Sequence, residues 1–539
     1  MNNAYSMAVS NISRKGDTDI FPFPIENALF FDKTKEILEI LDEQDRNYNA
    51  KYKDIPVDTI KTCIPVGHTG FRWATLVDPV WNAFFLAEVL KISDQIERKR
   101  IPVEEECIFS YRLNPDEESG YLFDREINWK AFYKSAGEKS KKYKFAVKFD
   151  ISDFYNRVYH ERLQNVLSND VGADGNSVER IMGILLRITG RESYGLPVGG
   201  NAARILAEAL LIRTDNFMKE SNMNFCRFVD DYVVFADSRE NAYSILNDCS
   251  DYFLRSMGLT LQKTKTLIMS QREFVQHVKS VFDEVESDKD SGRKSILNLK
   301  LQIDPYAATA NEDLRALRAK IDGSGIITLL KSECRKSKIN QLFGKQLIKA
   351  VSFLEEEHLS TALDIMTVNY DKLYPIFPVV MHTTFNNLLK CRQETIDGFV
   401  NRISDLVEKN SYIIQPENNA AYAIRVLSAV DSDKSTDLIK KMAYNGSNGR
   451  NHGSDLIRMN AIYAMTNRRD LKWLSARLSS YPGLSLWEKR AMAASASFIG
   501  TEGTAWKKTY RNYCNPAENL LSDWTSEKLQ SNPDWRLPL

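Results

Sequence analysis

The sequence predicts an α+β protein: a mixed region built on a split βαβ sheet, followed by an all-α, helical-repeat-like region. Three observations predict it. Residues 145–280 alternate β-rich runs (145–149, 225–235 and 260–269) with helical ones (159–166, 202–218 and 240–257). Within them, Phe228-Val229-Asp230-Asp231-Tyr232-Val233-Val234-Phe235 sets two adjacent acids between apolar, β-prone runs, the order of strand, tight turn, strand. Beyond about residue 310 the pattern becomes amphipathic helix: Ile396, Phe399, Val400, Ile403, Leu406 and Val407 follow an i, i+3, i+4, i+7, i+10, i+11 spacing.

Taken in order, residues 1–60 mix apolar and charged positions irregularly, with Phe21-Pro22-Phe23-Pro24 punctuating an extended segment. They read as an N-terminal extension. From 78 to 98 the pattern turns helical, with Phe85, Val89 and Ile92 on one face. Strand-like and aromatic segments continue to about 145. The stretch 283–294, dense in Asp, Glu, Ser and Lys, is the best linker candidate, placing a linker at 286–310. In 311–539, Leu347, Val351 and Leu354 and the run 456–465 repeat the helical theme without a clean repeat period.

Bulk properties set the frame. At 539 residues the chain has room for roughly three or four domain-sized units, and 43% hydrophobic residues supply large cores. The 72 basic and 72 acidic residues cancel, so a nucleic-acid partner has to be met by local basic surface. Seven cysteines lie scattered with no CxxC or Cys/His cluster, which supports neither a zinc site nor a disulfide framework and fits a reducing cytosol. No secretory signal and no uninterrupted apolar run of membrane-spanning length is present, so a soluble, cytoplasmic protein is expected.

Chemistry concentrates in 145–266. Adjacent like charges at a hairpin tip repel, and a divalent cation is the usual reason for them. Upstream, Phe145-Ala146-Val147-Lys148-Phe149-Asp150 is a buried-type strand ending in a third acid, followed by Ile151-Ser152-Asp153-Phe154-Tyr155. Asp150, Asp230 and Asp231 can thus serve one cation pair. Two metals in such a site activate an attacking 3′-hydroxyl and stabilise a leaving pyrophosphate, chemistry that needs positioning and charge neutralisation. Between the acids lies Tyr194-Gly195-Leu196-Pro197-Val198-Gly199-Gly200-Asn201, whose glycines permit close approach of another chain. After the hairpin comes Gly258-Leu259-Thr260-Leu261-Gln262-Lys263-Thr264-Lys265-Thr266, whose lysines could neutralise a pyrophosphate. Each piece alone is equally well a solvated turn, a capping acid or a strand-to-helix loop.

In this order the four pieces resemble the reverse transcriptase family. Asp150 with Tyr155 looks like its first palm motif, Gly195-Leu196-Pro197-Val198-Gly199 its Leu-Pro-x-Gly motif, and Phe228-Val229-Asp230-Asp231 its aromatic-x-Asp-Asp motif. Leu261-Gln262-Lys263-Thr264-Lys265-Thr266 looks like its Leu-Asn-x-x-Lys-Thr motif. The resemblance implies a right-hand polymerase fold, with fingers at 61–144 and palm at 145–285. It implies Asp150, Asp230 and Asp231 as catalytic metal acids, Ile151 beside them in the metal set, and two Mg²⁺ ions with Mn²⁺ as an alternative. Tyr155 would be the gate that excludes a ribose 2′-hydroxyl. Asp153, Pro197, Gly199 and Lys265 would complete the nucleotide site, with Lys265 near the pyrophosphate. Arg72 and Arg112 (within Ser110-Tyr111-Arg112) are the fingers' candidates for triphosphate or template contact. Lys134, Lys139, Lys141, Lys142 and Lys144 could grip a phosphate backbone.

The departures are informative: Val198 stands where retroviral enzymes have glutamine, Phe228 where tyrosine is usual, and Gln262 where asparagine is usual. There is no Cys/His endonuclease module and no RNase H set of acids. A polymerase core followed by a helical region, with Phe71-Arg72 and Phe109-Ser110-Tyr111-Arg112, resembles the bacterial abortive-infection and defence-associated reverse transcriptases. That implies antiphage defence, with dNTPs as substrates and DNA made from a noncoding RNA or without a nucleic-acid template. It also implies a paralogous reverse transcriptase subunit as partner, with a homo-oligomer as an alternative; no membrane partner is expected, from the lack of a spanning apolar run. Some members prime from a tyrosine, and Tyr370, Tyr374, Tyr412, Tyr422, Tyr444, Tyr463, Tyr481, Tyr510 and Tyr513 are the candidates here. The alternatives are an RNA-directed RNA polymerase and a catalytically idle RNA-binding scaffold.

Overall fold

In the computed structural model, residues 3–286, 323–444 and 453–539 are described. The chain opens with helices α1 (Asn3–Lys15), α2 (Pro24–Asp32) and α3 (Thr34–Arg46). A ribbon follows, β1 (Thr59–Val66) and β2 (Gly70–Val77), then α4 (Pro79–Lys91) and α5 (Ser93–Lys99). The short pair β3 (Leu113–Asp116) and β4 (Tyr121–Phe123) precedes α6 (Trp129–Ser140) and β5 (Phe145–Asp150). Next come α7 (His160–Asn165), α8 (Gly175–Ile188), α9 (Asn201–Glu220), β6 (Asn224–Phe228) and β7 (Asp231–Ala236). α10 (Arg239–Tyr252), β8 (Leu267–Ser270) and α11 (Gln271–Glu286) complete this part. Two compact units result: Met1–Lys61 with Trp73–Lys279 and Pro538, and Thr62–Arg72 with Ser280–Leu537 and Leu539.

The first unit is organised by a four-stranded sheet in the order β6-β7-β5-β8, antiparallel throughout. Its two central strands carry near-continuous apolar runs, because α6 and α10 pack against them. Phe149 and Tyr232 are paired in register, stack at 5.0 Å and are fully buried, and Phe253 meets both edge-on. Each such ring contributes roughly 2–3 kcal/mol by burial, with about 1 kcal/mol more for ring geometry. The sheet is therefore a stiff base for whatever its strand ends hold.

Helix α4 starts where Asp78 accepts hydrogen bonds from the backbone N–H groups of Val80 and Trp81, both at 3.0 Å, with Pro79 at the first position. It is buried on more sides than the Phe85/Val89/Ile92 stripe predicts, since α1, α8 and α9 all pack on it.

Several expectations are corrected here. Residues 1–60, read as irregular, hold α1–α3, whose contacts with one another and with α4 override the mixed local pattern. The strand-like stretch before 145 contains α6, started by an Asn128 cap that accepts from Lys130 and Ala131. Of the expected strand 260–269 only Leu267–Ser270 is strand, because Lys265 N–H turns back to the Gln262 carbonyl at 3.0 Å. The linker candidate begins inside α11, and the rest of it, with the 286–310 boundary beyond residue 286, lies outside the described residues.

Asp17 is buried, and desolvation above all pushes its carboxyl up to about 7, although its Oδ1 accepts from Phe23 N–H at 3.1 Å. An unfolded aspartate titrates near 4, so this residue's cost to folding grows from about pH 4 to about pH 7 and stays constant above. Asp17→Asn is expected to raise the thermal unfolding midpoint at pH 8, by the equivalent of roughly 1–3 kcal/mol, and to leave it unchanged at pH 4. Differential scanning calorimetry at the two pH values checks this.

The second unit carries no strand among its described residues from 323 onward. Phe377–Asn387 packs on Glu417–Ala429, which packs on Asp455–Asn467, then on Leu486–Ser495, then on Pro516–Ser531. Alternate helices thus stack as in a helical repeat, although the sequence shows no period. The stripe from Ile396 to Val407 lies in Gln393–Glu408 and is buried throughout. Ser485/Glu488 and Asn515/Glu518 form reciprocal capping boxes at two of the helix starts. Among the described residues no helix is long and apolar enough to cross a membrane.

Candidate active site

The register of β5 against β7 places Asp150 directly opposite Asp231. β6 and β7 pair up to Phe228 and Asp231, so Val229 and Asp230 form the tip of the hairpin. Ile151 N–H donates to the Asp230 carbonyl at 3.2 Å, which ties the tip to the end of β5. Val229 has φ of 55°, a left-handed conformation that a β-branched residue adopts only under constraint. Its carbonyl accepts from the Arg227 guanidinium at 3.1 Å.

Burial and the neighbouring acids perturb Asp230 and Asp231. Burial, and then the charges of Asp150 and Asp231, push the Asp230 carboxyl up to about 7. Asp231 is also raised by burial, opposed by Lys148 at 3.8 Å. Lys265 donates to the Asp150 carboxylate. Burial alone would lower its ammonium pKa, but that carboxylate outweighs burial and raises it.

Among the described residues no trio of Asp, Glu, His or Cys is gathered tightly enough to hold a metal ion. Asp150 is engaged by Lys265, and Asp231 faces Lys148. The donor chemistry nonetheless fits a hard divalent cation, being three desolvated, mutually repelling carboxylates without a softer ligand among them.

The chain after Asp150 is stitched to the Leu196-Pro197 loop. Leu196 N–H donates to the Tyr155 carbonyl at 2.7 Å, Gly195 N–H to the Val158 carbonyl at 2.8 Å, and the His160 ring bonds the Gly195 carbonyl at 2.8 Å. Gly199 has φ of 124°, and a Cβ there would lie 2.5 Å from Thr18 Oγ1 and 2.9 Å from Ile20, so the N-terminal segment closes over this loop. Pro197 is buried and lines a small cavity with Asp17, Thr18, Thr75 and Asn82. Burial raises the Tyr155 phenol far above its ordinary value, with Tyr111 and Asp230 adding to the effect. The Tyr111 ring lies 6.3 Å from Phe228, and the Arg204 guanidinium stands 5.3 Å over it, held by Asp19 at 2.5 Å.

Residues 103–293 match the family model described as reverse transcriptase (RNA-dependent DNA polymerase). The chain carries a reverse transcriptase domain. The family matched is one of RNA-directed DNA polymerases. No curated protein matches the chain. Among solved structures, telomerase from Candida albicans in complex with a TWJ fragment of telomeric RNA is 10% identical, with 79% of this chain and 68% of that one covered and a TM-score of 0.27. Apo telomerase from Candida tropicalis is 11% identical over 75% of this chain and 72% of that one, with a TM-score of 0.29. The Candida tropicalis enzyme with the same RNA fragment is 13% identical over 67% and 68%, also with a TM-score of 0.29. These likenesses are distant, and the domain assignment rests on the family match.

Within the reverse transcriptase domain, the acids Asp150, Asp230 and Asp231, the Ile151 backbone, Lys265 and Tyr155 come together. Arg112 does not join them: it is buried, ion-paired with Glu97 at 2.7 Å, and donates to the Ile101 carbonyl at 2.9 Å. Arg72 is exposed on β2 and falls in the second unit. Asp153 is exposed with φ of 48°, while Pro197 and Gly199 are packed against the N-terminal segment. In the lysine cluster, Lys139 donates to the carbonyls of Glu105 and Glu106 and Lys141 pairs with Glu138. Lys134, Lys142 and Lys144 are exposed.

Sequence reasoning missed Arg204, Asp19, Lys148 and Arg227. One signal was available: a charged residue inside a strand that otherwise reads as buried, as at Lys148 and Arg227, requires a partner.

Proposed function

We propose that the chain polymerises deoxynucleotides at Asp150, Asp230 and Asp231, as a reverse transcriptase acting in antiphage defence. The observation that carries this is the register placing Asp150 against Asp231 with Asp230 at the adjoining tip. In this assignment 1–60 is an N-terminal extension, 61–144 the fingers, 145–285 the palm and 311–539 the helical domain. Asp150, Asp230, Asp231 and the Ile151 backbone would hold two Mg²⁺ ions, or Mn²⁺, which when bound supply charge for the attacking hydroxyl and leaving pyrophosphate. Tyr155 walls the sugar site, with Tyr111 and Arg204 behind it. Lys265 exchanges the Asp150 carboxylate for the pyrophosphate.

The motif departures and the stacked helical unit support the defence-associated class, with dNTPs, a noncoding RNA, the DNA product and a paralogous subunit or second copy as partners, in the cytoplasm. If priming uses a tyrosine, exposure favours Tyr513 (81% exposed) over Tyr412 (51%), since Tyr370, Tyr374, Tyr422, Tyr463 and Tyr481 are buried. Sequencing the DNA made on co-purifying nucleic acid tests the template. Protease treatment tests priming, and a protein-linked product that survives Tyr513→Phe unchanged excludes that residue.

The Lys265–Asp150 contact favours a second reading, an idle RNA-binding scaffold in which the lysine takes a cation's place. Lys265→Ala separates the two. For a polymerase, kcat for dNTP incorporation is expected to fall about 10–100-fold with RNA binding intact; for a scaffold, neither form makes DNA.

A further inference from the structure

Beneath the Val229-Asp230 tip lie four charged side chains with almost no exposure: Arg227 (0%), Glu208 (1%), Asp215 (1%) and Arg100 (4%). Arg227 forms a two-bond fork to Asp215 at 2.7 and 2.6 Å and another to Glu208 at 3.2 and 2.9 Å. Arg100 reaches the same Glu208 carboxylate at 2.6 Å, and Ser110 Oγ donates to it at 2.5 Å. Arg100 also pairs with Glu97 at 3.0 Å, which holds Arg112 at 2.7 Å, so the charges balance, three positive against three negative. Glu208, on α9 just beyond the Leu196-Pro197 loop, is the hub.

The cluster has two outputs. Arg227 spends its remaining donor on the Val229 carbonyl at 3.1 Å. Arg100 donates to the carbonyls of Tyr111 at 3.0 Å and Ser110 at 2.7 Å. Val229 and Tyr111 both have positive φ, 55° and 44°. Non-glycine residues persist there only when their surroundings over-determine them. One precedes the hairpin acids; the other presents its ring to Phe228, and its phenol acts electrostatically on that of Tyr155. Stability alone does not account for the cluster, because apolar side chains of similar volume commonly serve a buried site as well. What two guanidinium forks supply is direction.

We propose that Glu208, Arg227 and Arg100 form one positioning device that fixes both walls of the site, the acid-bearing turn through Val229 and the nucleotide-facing ring through Tyr111. This rests on the polymerase reading above. The three are positioning residues and touch no substrate. The two arms have separable signatures. Arg227→Lys keeps the charge but cannot serve both carboxylates and the Val229 carbonyl, so kcat for dNTP incorporation falls about 10²-fold with KM little changed. Arg100→Lys loosens Tyr111, so KM for dNTP rises and ribonucleotide discrimination falls.

The test adds a charge-balanced variant, Arg227→Met/Asp215→Leu, which leaves Arg100 and Glu208 paired. Full-length proteins are compared by thermal unfolding, steady-state kinetics and Mn²⁺ binding followed by electron paramagnetic resonance. The device predicts an unfolding midpoint at or above wild type, weakened Mn²⁺ binding and kcat lower by about 10²-fold. Wild-type kcat and Mn²⁺ affinity in a folded balanced variant overturn it. If that variant does not fold, the lysine pair decides: equal effects of Arg227→Lys and Arg100→Lys on kcat and KM, or none, also overturn it. If wild type binds Mn²⁺ and Arg227→Lys weakens that binding while neither makes DNA, the device stands and the polymerase reading falls.

Discussion

Asp230→Asn is expected to give a protein that is more stable than wild type and makes no DNA. Asp230 is raised to about 7 by burial and by the charges of Asp150 and Asp231. An unfolded aspartate titrates near 4, so the folded state loses stability as pH rises from about 4 to about 7, and the loss persists above. Lys265 and the partly open tip reduce the penalty, leaving on the order of 1–3 kcal/mol that an uncharged amide of the same shape removes. The gain appears as a higher unfolding midpoint at pH 8 in the presence of a chelator. Activity moves the other way. If the three carboxylates neutralise charge during transfer, removing one costs about 4 kcal/mol of transition-state stabilisation or more, at least about 10³-fold in kcat/KM. A variant less stable than wild type, or one retaining a tenth of its activity, contradicts this account of the acids.

The second large effect concerns Tyr155. Its carbonyl is held by Leu196 N–H at 2.7 Å, and its ring meets Phe154 edge-on at 5.6 Å, so the main chain fixes where the ring stands. If the ring walls a sugar site, truncation opens space there without moving the Leu196-Pro197 loop. For Tyr155→Ala, discrimination of dNTP over the matching ribonucleotide, measured as a ratio of kcat/KM values, is expected to fall about 10²-fold. The lost ring destabilises the protein by roughly 3 kcal/mol, which thermal unfolding reports separately. Unchanged discrimination would remove Tyr155 from the sugar site and strengthen the RNA polymerase alternative.

Much of the site was legible because its signals are local. The apolar runs flanking Asp230-Asp231 encode a hairpin, and the run ending in Asp150 encodes the neighbouring strand; antiparallel pairing then brings Asp150 and Asp231 opposite each other. The stripe from Ile396 to Val407 was likewise readable from period alone. What stayed hidden depends on contacts distant in sequence. Arg227, Glu208 and Arg100 become one cluster only when β6, α9 and the end of α5 meet. Asp19 and Thr18 reach the site because α1 and α2 carry the N-terminal segment onto α4, which no local pattern announces. Arg112 differs from its expected place for the opposite reason. An arginine beside Tyr111 invites a phosphate, yet Glu97, in the last turn of α5, takes it first. Lys265 was placed near the pyrophosphate by its motif, and its actual partner, Asp150, follows from the Gln262–Lys265 turn that ends the expected strand early.

If these three acids catalyse DNA synthesis, incorporation of labelled dNTPs depends on each of them. Full-length protein with its co-purifying nucleic acid is compared with Asp150→Ala and with Asp230→Ala/Asp231→Ala, in Mg²⁺ and in Mn²⁺. Wild type is expected to give a DNase-sensitive product and either variant none. No product from wild type in either cation, or equal product from all three proteins, contradicts that expectation.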